Sequence, residues 1–112
     1  MYKILLVDDE PEILDYLHDI LAQHFDGILE ITATSYSSDA MEIIKTSKVD
    51  ILITDIKMPE HTGFDLVEAA RNVNTEIKVA FLTGHAYFDY AHNAIKIGCD
   101  DYILKTNAER VY

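Results

Sequence analysis

The sequence predicts an α/β domain built on a parallel sheet, and three observations carry that expectation. Continuous apolar runs at residues 4–7, 51–53, 79–82 and 102–104 are short and rich in Ile, Leu and Val, as in strands buried on both faces. Between them the apolar residues recur at helical spacing. The connections are short, so strands and helices alternate, with right-handed crossovers between parallel strands.

Taken in order, residues 3–7 form the first strand and run into Asp8, Asp9 and Glu10. Pro11 suits the first position of a helix, and acids there complement the positive end of its dipole. Ile13, Leu14, Leu17, Ile20 and Leu21 make one stripe, Asp15 and Asp19 the other face, and Gly27 closes the unit. Residues 28–34 alternate apolar and polar, which predicts a second strand nearer an edge. Ser37 or Ser38 is expected to cap a second helix with Ala40, Met41, Ile43 and Ile44 facing inward. The third strand ends on Asp55 and enters a loop from Lys57 to Gly63. A third helix follows, burying Phe64, Leu66, Val67 and Ala70. Residues 77–82 give a fourth strand, 87–97 a fourth helix ended by Gly98, and 101–104 a fifth strand. Residues 107–112 read as the start of a fifth helix of about a turn and a half.

A length of 112 residues suits one domain, and 49% hydrophobic residues supply an ordinary core. Twenty acidic against nine basic side chains give a formal net charge of -11, a field that repels phosphate backbones and argues against direct nucleic-acid contact. The apolar runs are too short to span a membrane, and a strand within three residues of Met1 leaves no room for a signal peptide. Cys99 is the single cysteine, so neither an internal disulfide nor a thiolate metal cluster is expected. These features fit a cytoplasmic setting.

The chemistry-bearing residues stand at strand ends. A buried charge without a partner costs several kcal/mol. Asp55 is therefore expected to face a crevice at the carboxyl end of its strand, where open α/β sheets bind ligands. The first strand delivers Asp8 and Asp9, the fourth Thr83, and the fifth Lys105. Read singly, Asp9 or Glu10 is a helix cap, Thr83 a structural hydroxyl, Lys105 a solvated lysine and Cys99 a small buried residue. His18, His24, His61, His85 and His92 show no metal-ligand spacing.

Across nearly its whole length the chain resembles the receiver domain of two-component response regulators. The resemblance rests on Asp8-Asp9, Asp55, Met58-Pro59 with Gly63 behind it, Thr83-Gly84, Gly98-Cys99-Asp100-Asp101-Tyr102, and Lys105. It implies a flavodoxin-like doubly wound sheet of order 2-1-3-4-5. It implies a module that accepts a phosphoryl group on Asp55 from a sensor histidine kinase and switches conformation to control an output, transcription being the expected one. A carboxylate can attack phosphorus to form an acyl phosphate, given neutralisation of the incoming charge. Asp8, Asp9 and Asp55 in one crevice repel unless a cation joins them, and oxygen ligands of this kind suit Mg²⁺. By resemblance, Asp9 and Asp55 touch the metal, Asp8 through water, and Lys57 through its backbone carbonyl. Lys105 and Thr83 hold phosphate oxygens, Thr83 and Tyr102 form the switch, and the Lys57 and His85 positions tune the phosphoryl lifetime.

Two departures stand out. Lys105 is followed by Thr106 where the family usually has proline. The fifth helix looks truncated, which suggests that residues 1–112 are a fragment lacking most of that helix and any output domain. Such a fragment is expected to expose part of the sheet and to cover it by dimerising or exchanging elements. Residues 82–91 resemble receivers joined to AraC-type DNA-binding regulators. Two rival readings remain. An aspartyl-nucleophile phosphohydrolase of the haloacid dehalogenase type needs an acid two residues after the nucleophile, where this chain has Lys57. A phosphorylation-independent interaction domain would be expected to have lost an acid or the lysine, yet Asp8, Asp9, Asp55, Thr83 and Lys105 are all present.

Overall fold

The computed structural model describes residues 1–82 and the backbone of residues 83 and 101–104. Its elements are β1 (Tyr2–Val7), α1 (Pro11–His24), β2 (Leu29–Thr34), α2 (Ser37–Thr46), β3 (Ile51–Asp55), α3 (Gly63–Val73), β4 (Lys78–Thr83) and β5 (Asp101–Leu104). The strands pair in parallel as one five-stranded sheet of order β2-β1-β3-β4-β5. This is the expected order. The expected fourth helix and the start of a fifth fall outside the described residues.

Side chains alternate across a strand, so each strand feeds two cores. Leu5, Val7, Leu52, Val79 and Phe81 face α2 and α3, where Ala40, Ile44, Leu66, Val67 and Ala70 are buried. The rings of Phe64 and Phe81 meet edge to face there, centroids 5.1 Å apart. Ile4 and Leu6 face the other way, against Leu14 of α1, with Leu17, Leu21, Ile31, Ile51 and Ile53 partly buried beside them. Central β1 is buried from Ile4 to Val7, whereas β2 alternates half-buried with exposed residues, as its edge position requires.

Local signals explain most element ends. Pro11 opens α1, and Gly27, at φ +78, makes the left-handed turn that leads into β2. Thr62 and Asp65 close a reciprocal capping box at the start of α3: the Thr62 hydroxyl accepts from the Asp65 N–H at 3.2 Å, and the Asp65 carboxylate from the Thr62 N–H at 2.9 Å. The capping expectation for α2 is corrected. Its N-cap is Tyr36, with no side-chain cap, and Ser37 is already helical and 5% exposed. Because Ser37 points into the interior, its hydroxyl meets the Pro59 carbonyl instead of its own helix. Phe64 is half-buried rather than buried.

Candidate functional site

Strand register places the expected acids side by side. Val7 pairs with Thr54 of β3, and Asp55 pairs with Leu82 of β4. Asp8, Asp55 and Thr83 therefore leave three adjacent strands at their carboxyl ends. Asp8 is fully buried and Asp55 is 7% exposed, whereas Asp9 is exposed. Buried charges need partners, and the backbone supplies some of them. The Glu10 N–H donates to Asp8 Oδ1, and the Ile56 N–H to Asp55 Oδ1, each at 2.8 Å. These bonds fix both side-chain orientations. Two buried carboxylates from neighbouring strands still repel each other, which favours a cation between them.

Oxygen donors for such a cation are present. Ligand atoms of Asp8, Asp9 and Glu10 all lie within 4.8 Å of one another. Hard carboxylate oxygens, one buried and two exposed, match the demands of a small divalent cation that keeps part of its water. The capping role weighed for Asp9 and Glu10 is not what α1 shows, since Glu10 occupies the N-cap position without a side-chain cap bond. Glu10 was not singled out as a ligand from the sequence. The signal available was the unbroken Asp8-Asp9-Glu10 run ahead of Pro11.

The loop after Asp55 is built to hold that residue still. The Thr54 hydroxyl donates to the Asp55 carbonyl at 2.8 Å. The Gly63 N–H returns to the Ile56 carbonyl at 2.8 Å, and a Cβ on Gly63 would collide with the Asp55 carbonyl. Gly63 is thus required by close approach of two backbones, not by its dihedral angle. Met58 is buried at 8% exposure while Lys57 beside it is exposed. Lys57 is thus the exposed residue of this stretch, between the buried Ile56 and Met58. Glu60 then takes φ 71, and the His61 N–H donates to the Pro59 carbonyl at 2.9 Å. A non-glycine residue held there costs on the order of 1–3 kcal/mol, so surrounding contacts must impose it.

A cleft of about 280 Å³ adjoins the crevice, walled by Asp9, Pro11, Tyr36, Ser38, Pro59 and Glu60. A second cleft, about 310 Å³, lies at the amino ends of the strands between Lys48, Asp50, Asn74, Glu76 and Lys78. The paired acids stand at the opposite, carboxyl end of the sheet.

Of the other expected site residues, Thr83 pairs through its backbone with Leu104, the residue before Lys105, and Tyr102 with Phe81. The side chains of Thr83 and Tyr102 lie outside the described residues, as do Lys105 and His85 entirely. No described helix is long and apolar enough to cross a membrane.

Comparison with known proteins agrees with this arrangement. The family model for the response regulator receiver domain matches residues 4–111. The transcriptional regulatory protein YesN of Bacillus subtilis is 37% identical over 105 residues, 94% of this chain and 28% of its own length. Response regulator SaeR of Staphylococcus epidermidis is 32% identical over 110 residues, 98% of this chain and 46% of its own. The chain therefore spans less than half the length of these curated relatives. Among solved structures, a response regulator receiver domain protein from Clostridium thermocellum superposes with a TM-score of 0.79 at 34% identity, covering 94% of this chain and 82% of that one. A CheY-like receiver protein from Methanospirillum hungatei gives 0.81 at 30% identity, with the same coverage.

Proposed function

The chain belongs to the response regulator receiver family, a family of signalling domains, and from that premise we propose that it is a phosphoacceptor switch with Asp55 as the acceptor. The observation that supports this most directly is the burial of Asp55 at the end of central β3, next to a second buried acid at the end of β1. In this reading an Asp55 carboxylate oxygen attacks phosphorus. A new O–P bond forms, the P–N bond of a phosphohistidine on a sensor histidine kinase breaks, and the leaving imidazole keeps the electron pair and takes up a proton. The Ile56 N–H holds the carboxylate in its attacking orientation, and the Thr54 hydroxyl and Gly63 hold the backbone beneath it.

Asp9 and Asp55 through their carboxylates, Asp8 through water and Lys57 through its backbone carbonyl are the proposed ligands of Mg²⁺, with Glu10 added by its place in the acidic group. Bound there, Mg²⁺ would supply the positive charge that a transferring phosphoryl group needs. Thr83 and Lys105 are proposed to hold phosphate oxygens, and Thr83 with Tyr102 to carry the switch to the β4–β5 side of the sheet. The same site would catalyse its own phosphorylation from small donors and its own hydrolysis. Residues 1–112 are proposed to be one receiver domain in a cytoplasmic signalling protein that assembles as a homodimer, with transcription as the output, in line with the printed name of YesN.

Intact mass after incubation with acetyl phosphate and Mg²⁺ tests this reading. One added phosphoryl group on wild type, absent from Asp55→Asn, is the expected result. No addition to wild type would favour the phosphorylation-independent interaction domain instead.

A further inference from the structure

The loop that follows Asp55 is gripped by a residue from another helix. Ser37, at the first position of α2, donates its hydroxyl to the Pro59 carbonyl at 2.6 Å and accepts the His61 N–H at 3.2 Å. Those two groups are the ends of the turn that holds Glu60 at φ 71. One hydroxyl therefore bonds both ends of the strained turn, and does so from within the protein, at 5% exposure.

Only Ile56, Lys57 and Met58 separate Asp55 from that turn. Ile56 is fixed at one end, its N–H on the Asp55 carboxylate and its carbonyl on the Gly63 N–H. Met58 is buried at the other. Lys57 lies between these two anchors, so a displacement of the turn at one end is passed along the short segment to Lys57.

We propose that Ser37 is a positioning residue for phosphoryl transfer: from α2 it clasps the Pro59–His61 turn, and so sets where the Lys57 carbonyl stands relative to Asp55 and the acidic group. The inference rests on the phosphoacceptor reading of Asp55. Without the hydroxyl, the turn loses both a donor and an acceptor, Glu60 relaxes toward negative φ, and Met58 and Lys57 move with it. The effect is expected on cation binding before it is expected on folding.

The test is a calorimetric titration of the unphosphorylated chain with Mg²⁺, followed by the rate of phosphoryl uptake from acetyl phosphate at saturating Mg²⁺. Wild type is compared with Ser37→Ala, Ser37→Thr and Glu42→Gly. Ser37→Ala is expected to weaken Mg²⁺ binding about tenfold, as removal of an outer-shell support does. Ser37→Thr keeps a hydroxyl and is expected to restore most of it. Glu42→Gly loosens the exposed face of α2 and lowers its melting temperature, and is expected to leave Mg²⁺ affinity unchanged. Because glycine accepts positive φ without strain, Glu60→Gly in the Ser37→Ala background is expected to recover part of the affinity. It serves as the second probe should Ser37→Ala alone fold poorly. Wild-type Mg²⁺ affinity in Ser37→Ala, or an equal loss in Glu42→Gly, overturns the proposal while phosphorylation of wild type leaves the Asp55 reading intact. A wild-type chain that takes up no phosphoryl group overturns both.

Discussion

Strand β3 carries an aspartate just before its start and another at its end, and the two have opposite characters. Asp50, half-buried, accepts the Lys3 N–H on Oδ2 at 2.8 Å, donates its own N–H to the Lys3 carbonyl at 2.9 Å, and accepts the Lys78 N–H on its carbonyl at 3.0 Å. It joins the beginnings of β1, β3 and β4. Lys48, Glu76 and Lys78 line the cleft beside it. Asp55 is more deeply buried, stands beside Asp8, and has its carboxylate aimed by the adjacent Ile56 N–H. The same residue type is thus a backbone clasp at one end of the strand and the proposed phosphoacceptor at the other. An aspartate that bonds the backbone of two neighbouring strands is tied into its own fold. One beside a second buried acid is the better placed to attract a cation.

Exchanging the two acids for their amides is the sharpest way to break this contrast. Asp55→Asn is expected to abolish phosphoryl uptake completely and Asp50→Asn to leave it intact, both read by intact mass; equal loss in the two would remove the distinction. Gly63→Ala comes next, because its methyl group would strike the Asp55 carbonyl backbone. Overpacking of this kind is expected to cost about 1–3 kcal/mol in urea unfolding, with phosphoryl uptake slowed as Asp55 shifts. Mg²⁺ is expected to raise thermal stability, by about 2.7 kcal/mol at a hundred times its dissociation constant, and a chelator to reverse the gain. Asp8→Asn should shrink that gain while raising stability in the chelator, since one of two repelling buried charges is gone. The smallest effect is expected for Asp50→Ala, about 0.5–1.5 kcal/mol for the lost bond to the Lys3 N–H, with no change in Mg²⁺ affinity.

The acidic end was legible because its signals are local. Continuous runs such as Ile4 to Val7 mark buried strands, and a charged residue directly after such a run has to emerge at the strand's end. The edge position of β2 was visible in its alternation for the same reason. The ends of α2 were less so. Two serines at a helix start read as caps, yet a serine side chain turns to whichever partner is nearest in space. For Ser37 that partner is 22 residues away.

By itself the sequence determined the alternation of elements, the sheet that follows from it, and the delivery of Asp8, Asp9 and Asp55 to strand ends, because periodicity of 2 or 3.6 residues is written in the chain. Tertiary structure alone decided that Gly63 must lack a side chain beneath Asp55, that Ser37 grips the turn at Glu60, and that Asp50 reaches Lys3 across 47 residues. Each of those depends on which strand lies beside which and how closely backbones approach, and no local pattern encodes either.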